Sequence, residues 1–305
     1  MTDTTWTEEL KTILPKGTVL TEEPMSRHTT FRVGGNADAY VVVQNIEQLR
    51  NTIAFLREKS ISYFVIGNGS NLLVSDNGYR GAVLEIGREM SKISIEEDCV
   101  CAQAGALLAV VAKEAMKAEL SGMEFASGIP GSIGGAIVMN AGAYDGEMKQ
   151  IVREVTLLTA EGEIRTLTDE EMEFGYRTSI LKREAGIVLS VKLQLIPGDQ
   201  DGITAKMADF AARRREKQPL EYPSAGSTFK RPAGNFAGKL IMEAGLSGAM
   251  VGGAQVSEKH CGFVINRDNA TATDIYCLMQ KIQRQVKETS GINLEPEVIF
   301  LGEFE

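Results

Sequence analysis

The sequence predicts an α+β fold made of three successive units, each of which combines helices with strands. Short apolar runs alternate with amphipathic helices through the first ninety residues. From Lys92 the pattern changes to paired strands, and from Thr204 onwards it returns to helices with a hairpin and a final strand. We therefore predict domains over residues 1–90, 91–203 and 204–305.

Composition places the chain among folded globular proteins. It has 305 residues, of which 43% are hydrophobic and 24% charged, and this length is large for a single core. The net charge of −9 argues against nucleic acid as the main partner, although an anionic ligand needs only local positive groups.

Targeting signals and metal motifs are not visible in the sequence. The first residues, MTDTTWTEEL, are acidic and lack an apolar run, and no stretch approaches the roughly 18 apolar residues of a membrane span. The 4 cysteines form no CxxC pair and there are only 2 histidines, so we expect free thiols and no metal. We expect a cytoplasmic protein.

The first unit reads as a small α/β arrangement. An amphipathic helix is predicted over Trp6–Leu14, and a strand over Thr29–Val33 that is broken by two glycines and continues over Ala39–Val43. Asn45 is expected to cap a helix with one apolar face. The remaining short strands are predicted at Tyr63–Ile66, where burial is expected, and at Ala82–Ile86.

The other two units mix hairpins with helices. A helix that is apolar nearly all round is predicted to run to Gly122, and Glu161-Gly162 is the expected turn of a hairpin. Beyond a charged helix over Thr204–Lys217, a joint is predicted at Pro219–Pro223. The last long amphipathic helix is predicted to be capped, and a strand to end the chain.

A glycine-rich stretch over residues 121–147, SGMEFASGIPGSIGGAIVMNAGAYDGE, is the feature around which the sequence is arranged. Clustered glycines let backbone N–H groups approach a ligand oxygen, and several such groups form an anion-binding concavity. The stretch therefore predicts a pyrophosphate cradle. A bend at which two backbones cross closely explains the same glycines, and both interpretations remain open.

A second glycine motif, GNGSN, follows the predicted strand Tyr63–Ile66. It begins like the dinucleotide fingerprint GxGxxG, but Leu72 stands where the third glycine belongs, and turn residues follow instead of a helix start. We therefore exclude a Rossmann nicotinamide-binding fold. A phosphate-binding turn and an ordinary tight turn both remain possible.

Three local contexts carry residues that could do chemistry. Arg177 lies in FGYRTSIL, a segment suited to burial, so it needs a carboxylate or ligand partner. Ser227 lies in a turn-like segment ahead of two basic residues, where it could donate a proton or cap a turn. Glu295 and Glu297 are two apart in an extended run and so share a face, either at a site or on a solvated edge.

Six motifs occur in an order that resembles the UDP-N-acetylenolpyruvoylglucosamine reductase (MurB) family. They are GNGSNLL, SGIPGSIGGAIVMNAGAYDGE, GYRTSIL, AGSTFKRP, GAMVGGAQVSEKHCGFVIN and LEPEVIFLG. The resemblance covers the chain from Thr29 to Gly302, and six ordered motifs are more specific than either glycine loop alone.

The resemblance implies a two-domain FAD-binding module of the vanillyl-alcohol-oxidase (PCMH) type, followed by a C-terminal α/β substrate-binding domain. It implies non-covalent FAD that is reduced by NADPH. The implied reaction passes hydride from flavin N5 to the enolpyruvyl ether of UDP-N-acetylglucosamine and gives UDP-N-acetylmuramate, a precursor of the peptidoglycan cell wall.

The resemblance also implies roles for individual residues, according to their positions in the six motifs. The resemblance implies Ser227 as the acid, with Arg177 and Glu297 beside the carboxylate and enolate, and Glu295 as the fallback for Glu297. The implied substrate contacts are Tyr176, Lys230, Arg231 and Gln255. The implied flavin contacts are Gly67, Asn68, Gly69, Ser70, Asn71, Gly128, Pro130, Gly131, Ser132, Gly134, Gly135 and Asn140.

The family that the sequence resembles has two types, one of which carries an extra loop with a tyrosine that caps the substrate. The segment between Val191 and Pro223 is short here, and Tyr222 is its single tyrosine. The sequence therefore resembles the type without that loop.

We expect a monomer. An FAD-dependent oxidase of the same fold, acting on an alcohol or sugar, is the alternative enzyme. A nucleotide-binding regulator without chemistry is the alternative from another class.

Overall fold

The computed structural model describes residues 5–304 and contains two compact units. Unit 1 comprises residues 5–20, 39–68 and 81–214 of the described chain, and unit 2 comprises residues 21–38, 69–80 and 215–304. Each unit has its own apolar core. The three contiguous domains stay a prediction.

Seven α-helices and eighteen strands are present among residues 5–304. The helices are α1 (Thr5–Ile13), α2 (Ile46–Glu58), α3 (Leu108–Lys117), α4 (Ile133–Met139), α5 (Gln200–Lys217), α6 (Ala237–Glu243) and α7 (Ala272–Ser290). The strands are β1 (Val19–Pro24), β2 (Asn36–Val42), β3 (Tyr63–Ile66), β4 (Leu72–Val74), β5 (Tyr79–Glu85), β6 (Ile93–Glu96), β7 (Cys99–Gln103), β8 (Leu120–Ser121), β9 (Gly142–Ala143), β10 (Gly146–Glu147), β11 (Val152–Thr159), β12 (Ile164–Thr168), β13 (Gly186–Gln194), β14 (Ile196–Pro197), β15 (Met250–Val251), β16 (Ala254–Val256), β17 (Val264–Asn266) and β18 (Ile299–Leu301).

Unit 1 is built on a five-stranded antiparallel sheet with the order β12-β11-β13-β7-β6. Its core-facing residues, such as Val155, Val191 and Val100, alternate along the strands with polar ones, as expected where one face is buried. Helices α3 and α4 supply further apolar side chains to this core. A second sheet has the order β1-β2-β5-β3, in which β3 and β5 are parallel.

Unit 2 is built on the long helix α7 and the antiparallel sheet β15-β16-β17. The buried face of α7 carries Ile275, Leu278, Ile282 and Val286, as the sequence predicts. Strands β4 and β18 pair in parallel, so the end of the chain lies beside the segment that follows GNGSN.

Local capping signals in the sequence are confirmed. The side chain of Asn45 accepts a hydrogen bond of 2.9 Å from the N–H of Gln48 at the start of α2. Thr271 and Asp274 form a reciprocal capping box on α7. Two carboxylate oxygens of Asp76 also accept the N–H groups of Ala272 and Thr273, so the N–H groups at the start of α7 are well satisfied.

The predicted strand over Thr29–Val33 is wrong. Arg32 has φ 57°, which an extended strand cannot contain, and the Thr29 hydroxyl closes a turn by donating to the Val33 carbonyl at 3.0 Å. Phe31 and Val33 are nevertheless buried in the core of unit 2. Their alternation reflects the burial of a loop rather than a sheet.

The prediction for α3 is wrong in two respects. The helix ends at Lys117 instead of Gly122, because Glu119 adopts φ 58° and the chain turns into β8. Leu107 and Val110 are 43% and 45% exposed, so the helix is not buried all round. The predicted burial of β3 is also wrong for three of its four residues, because only Ile66 is buried.

Among residues 5–304 no helix is both long and apolar enough to cross a membrane. In the same range, no cluster of three or more His, Cys, Asp or Glu side chains is arranged to hold a metal ion.

Candidate functional site

The loop Gly128–Ser132 is fixed in unit 1 by the segment that precedes α3. The N–H of Leu108 donates to the Gly131 carbonyl at 2.9 Å, and the N–H of Ile133 donates to the Ala106 carbonyl at 2.8 Å. Ser132 then caps α4, with its hydroxyl accepting from the N–H of Gly135 at 3.4 Å. The loop thus has a defined shape up to the first turn of the helix.

The first two residues of GNGSN lie against this loop. The side-chain amide of Asn68 donates a hydrogen bond of 3.0 Å to the Pro130 carbonyl. A Cβ on Gly67 would overlap the Ser132 hydroxyl, so this position excludes every other residue unless Ser132 moves. Within unit 1, the structure therefore brings together two glycine-rich loops that are far apart in the sequence.

Backbone donors remain available where the two loops meet. The N–H groups of Asn68, Gly128 and Ser132 make no hydrogen bond within residues 5–304. Ser132 is only 3% exposed, and a buried N–H group normally has a partner. Donors of this kind fit the oxygens of an anionic ligand.

The two glycines of α4 differ in their surroundings. Gly134 packs on Ala104, where a Cβ would lie 3.1 Å from the Ala104 Cβ, and its N–H donates to the Ala104 carbonyl at 2.8 Å. Gly135 is exposed, and the nearest atom to its Cβ would be the Ser132 hydroxyl at 3.7 Å. Gly134 is thus explained by packing, whereas Gly135 leaves space that a ligand could use.

Arg214 is a cation beside this loop that the sequence interpretation missed. A Cβ on Gly128 would lie 3.3 Å from the Arg214 Cδ, so the side chain lies along the loop. Among residues 5–304 no carboxylate pairs with Arg214, whereas the adjacent Arg213 pairs with Asp209 at 2.7 Å. Burial lowers the pKa of the Arg214 guanidinium. From the sequence we predicted only a charged helix here, because three consecutive arginines do not reveal which one faces the protein.

Arg177 lies at the tip of a tight turn in unit 1. Gly175 and Thr178 exchange two backbone hydrogen bonds, and Arg177 between them has φ 54°. A non-glycine residue in this conformation is strained, and such strain is concentrated at functional sites. The guanidinium donates to the Gly142 carbonyl at 3.3 Å and lies 5.3 Å from the ring centre of Tyr176, which is 53% exposed.

Asn140 is a buried residue that forms hydrogen bonds to the segments around Arg177. It ends α4 in the left-handed conformation, with φ 42°, and is fully buried. Its amide nitrogen donates to the Glu147 carboxylate at 3.0 Å and to the Gly175 carbonyl at 2.9 Å, and its oxygen accepts the N–H of Lys149 at 2.9 Å. Flavin contact by this residue stays a prediction, and the structure gives its side chain three protein partners instead.

In unit 2, Ser227 lies beside the segment that carries Glu297. The N–H of Glu297 donates to the Thr228 carbonyl at 2.9 Å, and the N–H of Thr228 donates to the Gly262 carbonyl at 2.8 Å. Thr228 is fully buried, whereas Ser227 is exposed. The serine hydroxyl is thus presented on the surface of unit 2 by a backbone that is fixed on both sides.

The two glutamates have different surroundings. Lys230 pairs with the exposed carboxylate of Glu295, while Glu297 is half-buried. Arg231 stacks on Phe236 with its guanidinium carbon 3.9 Å from the ring centre. Gln255 lies in β16 and donates to the Gly248 carbonyl at 3.3 Å.

The second half of GNGSN belongs to unit 2. Gly69 has φ 57°, and a Cβ there would overlap the His28 carbonyl. The amide of Asn71 donates to the Glu297 carbonyl at 3.0 Å. Ser70 is half-buried in the same turn. Asn71 therefore helps to fix the glutamate segment, and flavin contacts by these three residues stay predictions.

Curated relatives match nearly the whole chain. The UDP-N-acetylenolpyruvoylglucosamine reductase of Agathobacter rectalis is 52% identical over 303 residues, which cover 95% of this chain and 96% of the relative. The protein of the same name from Clostridioides difficile is 52% identical over 294 residues, covering 96% and 97%. The chain belongs to the UDP-N-acetylenolpyruvoylglucosamine reductase family.

Family models agree with the reductase assignment. Residues 218–301 match the C-terminal domain of UDP-N-acetylenolpyruvoylglucosamine reductase, and residues 37–168 match an FAD-binding domain. Both glycine loops, Gly67–Asn71 and Gly128–Gly135, lie in the FAD-binding match, and Ser227 and Glu297 lie in the C-terminal match. The chain is thus an FAD-dependent oxidoreductase of this reductase family.

Solved structures support the predicted fold class. The reductase MurB from Thermus caldophilus superposes with a TM-score of 0.80 at 36% identity. The superposition covers 92% of this chain and 98% of the Thermus caldophilus chain. The grass pollen allergen Phl p 4 gives a TM-score of 0.50 at 15% identity over 64% of this chain and 44% of its own, which shows a shared fold alone. The predicted combination of an FAD-binding module with a C-terminal domain is confirmed.

Proposed function

We propose that this chain reduces the enolpyruvyl ether of UDP-N-acetylglucosamine to UDP-N-acetylmuramate, a step in the synthesis of peptidoglycan precursors. NADPH is the proposed electron donor. The observation that carries the proposal is the match, at 52% identity over 95% of the chain, to a relative named for this reductase activity. The glycine loops of unit 1 and the serine of unit 2 supply supporting geometry.

The residues at the two loops fit a flavin dinucleotide. The N–H groups of Asn68, Gly128 and Ser132, which make no hydrogen bond within residues 5–304, would donate to the pyrophosphate oxygens, and Arg214 beside Gly128 would add a positive charge. Gly135 leaves room for the ligand to approach the backbone. When bound, FAD supplies the redox chemistry by carrying hydride from NADPH to the substrate.

The protein's own groups act on the charge that develops in the substrate. We assign to Arg177 the stabilisation of the developing enolate, an interaction typically worth about 3 kcal/mol, or roughly a hundredfold in rate. Ser227 donates the proton to the carbanionic carbon. An alcohol is a weak acid, and this carbon is basic enough to take its proton. Glu297 is the proposed accompanying carboxylate by its motif position, and Glu295, which pairs with Lys230, is the fallback.

Tyr176, Lys230, Arg231 and Gln255 are the proposed contacts of the nucleotide sugar. The exposed ring of Tyr176 lies beside Arg177, so it could pack on the substrate near the reacting group. Substrate binding by Lys230 requires that it leave or share Glu295. The cytoplasm is the proposed location, because NADPH and a nucleotide sugar are charged molecules that do not cross membranes unaided. The monomeric state stays a prediction for sedimentation to test.

Flavin spectroscopy tests the proposal directly. The purified protein should be yellow, bleach on addition of NADPH without oxygen, and recover its colour when the enolpyruvyl sugar is added. Ser227→Ala should leave bleaching intact and slow the recovery at least about a hundredfold. Ser247→Ala, which removes an exposed hydroxyl of unit 2, is the matched control.

Three results would contradict the proposal or part of it. Recovery at the wild-type rate in Ser227→Ala would remove the serine from the mechanism. Colour that stays with the denatured chain, together with turnover of an alcohol or sugar, would instead favour an oxidase of the same fold. A protein without bound flavin would indicate a nucleotide-binding regulator.

A further inference from the structure

We propose that Asn140 is the positioning residue that holds Arg177 in its working orientation. The inference rests on the proposed role of Arg177 in the reaction. Both N–H donors of the Asn140 amide bind protein oxygens, so we infer that the residue acts through the backbone that carries Arg177. We propose this role in place of the flavin contact that the family resemblance implies.

The first link joins Asn140 to the turn that carries Arg177. Its amide nitrogen donates at 2.9 Å to the carbonyl of Gly175, which also accepts the N–H of Thr178 across the turn. The Ser179 hydroxyl adds a second tie to α4 by donating to the Val138 carbonyl at 2.9 Å. The strained Arg177, with φ 54°, lies between these two ties.

The second link joins Asn140 to the acceptor of the guanidinium. The same amide nitrogen donates at 3.0 Å to the carboxylate of Glu147 in β10. Glu147 pairs directly with Gly142 in β9, and the Gly142 carbonyl accepts the guanidinium of Arg177 at 3.3 Å. One amide group is therefore tied to both ends of the contact between Arg177 and Gly142.

Only asparagine meets all the requirements of the position. The side chain needs two N–H donors and one acceptor, which an amide provides and a carboxylate or hydroxyl does not. The backbone needs the left-handed conformation, with φ 42° and ψ 57°, which asparagine tolerates better than longer side chains do. Because the residue is fully buried, loss of a donor removes one of the two hydrogen bonds that the Gly175 carbonyl accepts, or one of those that the Glu147 carboxylate accepts.

The test compares the two half-reactions of Asn140→Asp, which keeps the side-chain shape but removes both donors. We expect flavin reduction by NADPH to stay within about twofold of wild type. Reoxidation by the enolpyruvyl sugar should slow at least about tenfold, because displacement of a catalytic group by about 1 Å can cost a hundredfold. Combined with Arg177→Ala, the substitution should cause no further loss.

A matched control separates positioning from a general loss of stability. Asn266→Asp changes another amide that bridges backbone groups, since Asn266 donates to the Phe31 carbonyl at 3.1 Å and accepts the N–H of Ala270 at 2.8 Å. Each variant is assayed at a temperature that lies the same number of degrees below its own Tm. Asn140→Gly is the second variant, because glycine keeps the left-handed backbone if the aspartate does not fold.

Hydrogen exchange gives a readout besides activity. In Asn140→Gly the N–H of Thr178, which donates to Gly175, should exchange faster than in wild type, while the N–H of Val264 in unit 2 should not change. Equal reoxidation losses in Asn140→Asp and Asn266→Asp, or a loss that adds to that of Arg177→Ala, would overturn the inference. A wild-type rate in Arg177→Ala alone would instead overturn the proposed role of the arginine, and with it the premise for Asn140.

Discussion

The amide of Asn68 donates a hydrogen bond of 3.0 Å to the carbonyl of Pro130, 62 residues further along the chain. This bond joins the two glycine loops in unit 1, in which the N–H groups of Asn68, Gly128 and Ser132 make no hydrogen bond within residues 5–304. The spacing of these donors therefore depends on the contact between the loops.

Asn68→Ala should weaken flavin binding without removing it. A hydrogen bond of this kind contributes about 1 kcal/mol, so we expect the Kd of FAD to rise about fivefold to tenfold. Titration of the flavin-free protein with FAD, followed by fluorescence, measures the change. Asn269→Ala, which removes an exposed amide of unit 2, is the control. An unchanged Kd would show that the loops keep their spacing without this bond.

Gly67→Ala should be destabilising because its methyl group would overlap the Ser132 hydroxyl. Overpacking of this kind typically costs about 1–3 kcal/mol, so both the Tm and the flavin content of the purified protein should fall. Gly135→Ala is the control for adding a methyl group, since its nearest neighbour would be 3.7 Å away and alanine favours a helix. Its Tm should not fall.

Removal of the clash should rescue the Gly67→Ala variant. Ser132→Gly deletes both atoms that the new methyl group would meet, so the double variant should recover most of the lost Tm. It should not recover full flavin affinity, because the cap of α4 is lost with the hydroxyl. If the two losses of Tm simply add, the overlap between positions 67 and 132 is not the cause.

His260 should make the stability of the protein depend on pH. Burial lowers the pKa of its ring, and its Nδ1 accepts the N–H of Gly262 at 3.1 Å, which requires that nitrogen to be unprotonated. The unfolded chain binds a proton near the ordinary pKa of about 6.5, whereas the folded chain does so only at lower pH. The free energy of unfolding should therefore fall as the pH drops below about 6.5.

Denaturant unfolding at a series of pH values measures this effect. One histidine contributes at most about 1.4 kcal/mol per pH unit, and only between its unfolded and folded pKa. In His260→Asn, whose side-chain oxygen can still accept from Gly262, the decline between pH 7 and 5 should be shallower than in wild type. Parallel curves for the two proteins would exclude His260 as the titrating group.

Patterns that act over a few residues were predicted well. The caps of α2 and α7, the hairpin of β11 and β12 and the apolar face of α7 all follow from neighbours within one or two turns. β1 was missed, because an edge strand with charged residues lacks an apolar run. Thr29–Val33 was predicted as a strand because the burial of Phe31 and Val33 in a loop imitates alternation.

The roles of single residues were harder to predict than the motifs that contain them. The motif order identified the family, and the structure brings Gly67 and Asn68 to the loop that holds Pro130 and Ser132. Motif position favoured Glu297 over Glu295, and the structure adds that Glu295 pairs with Lys230, a residue 65 positions away. Sequence alone also did not indicate that Arg214 lacks a carboxylate partner within residues 5–304, since pairing depends on which residues each face of α5 contacts.

Most helices and hairpins, the glycine-rich loops and the family membership of this chain could be predicted from the order of its residues. Those properties depend on local backbone preferences and on residue types in order. The bonds by which Asn140 joins the Arg177 turn to β10, and by which Asn71 holds the Glu297 segment, could not be predicted in this way. Such contacts join residues far apart in the chain, so their partners follow from how the cores pack and not from the residues beside them.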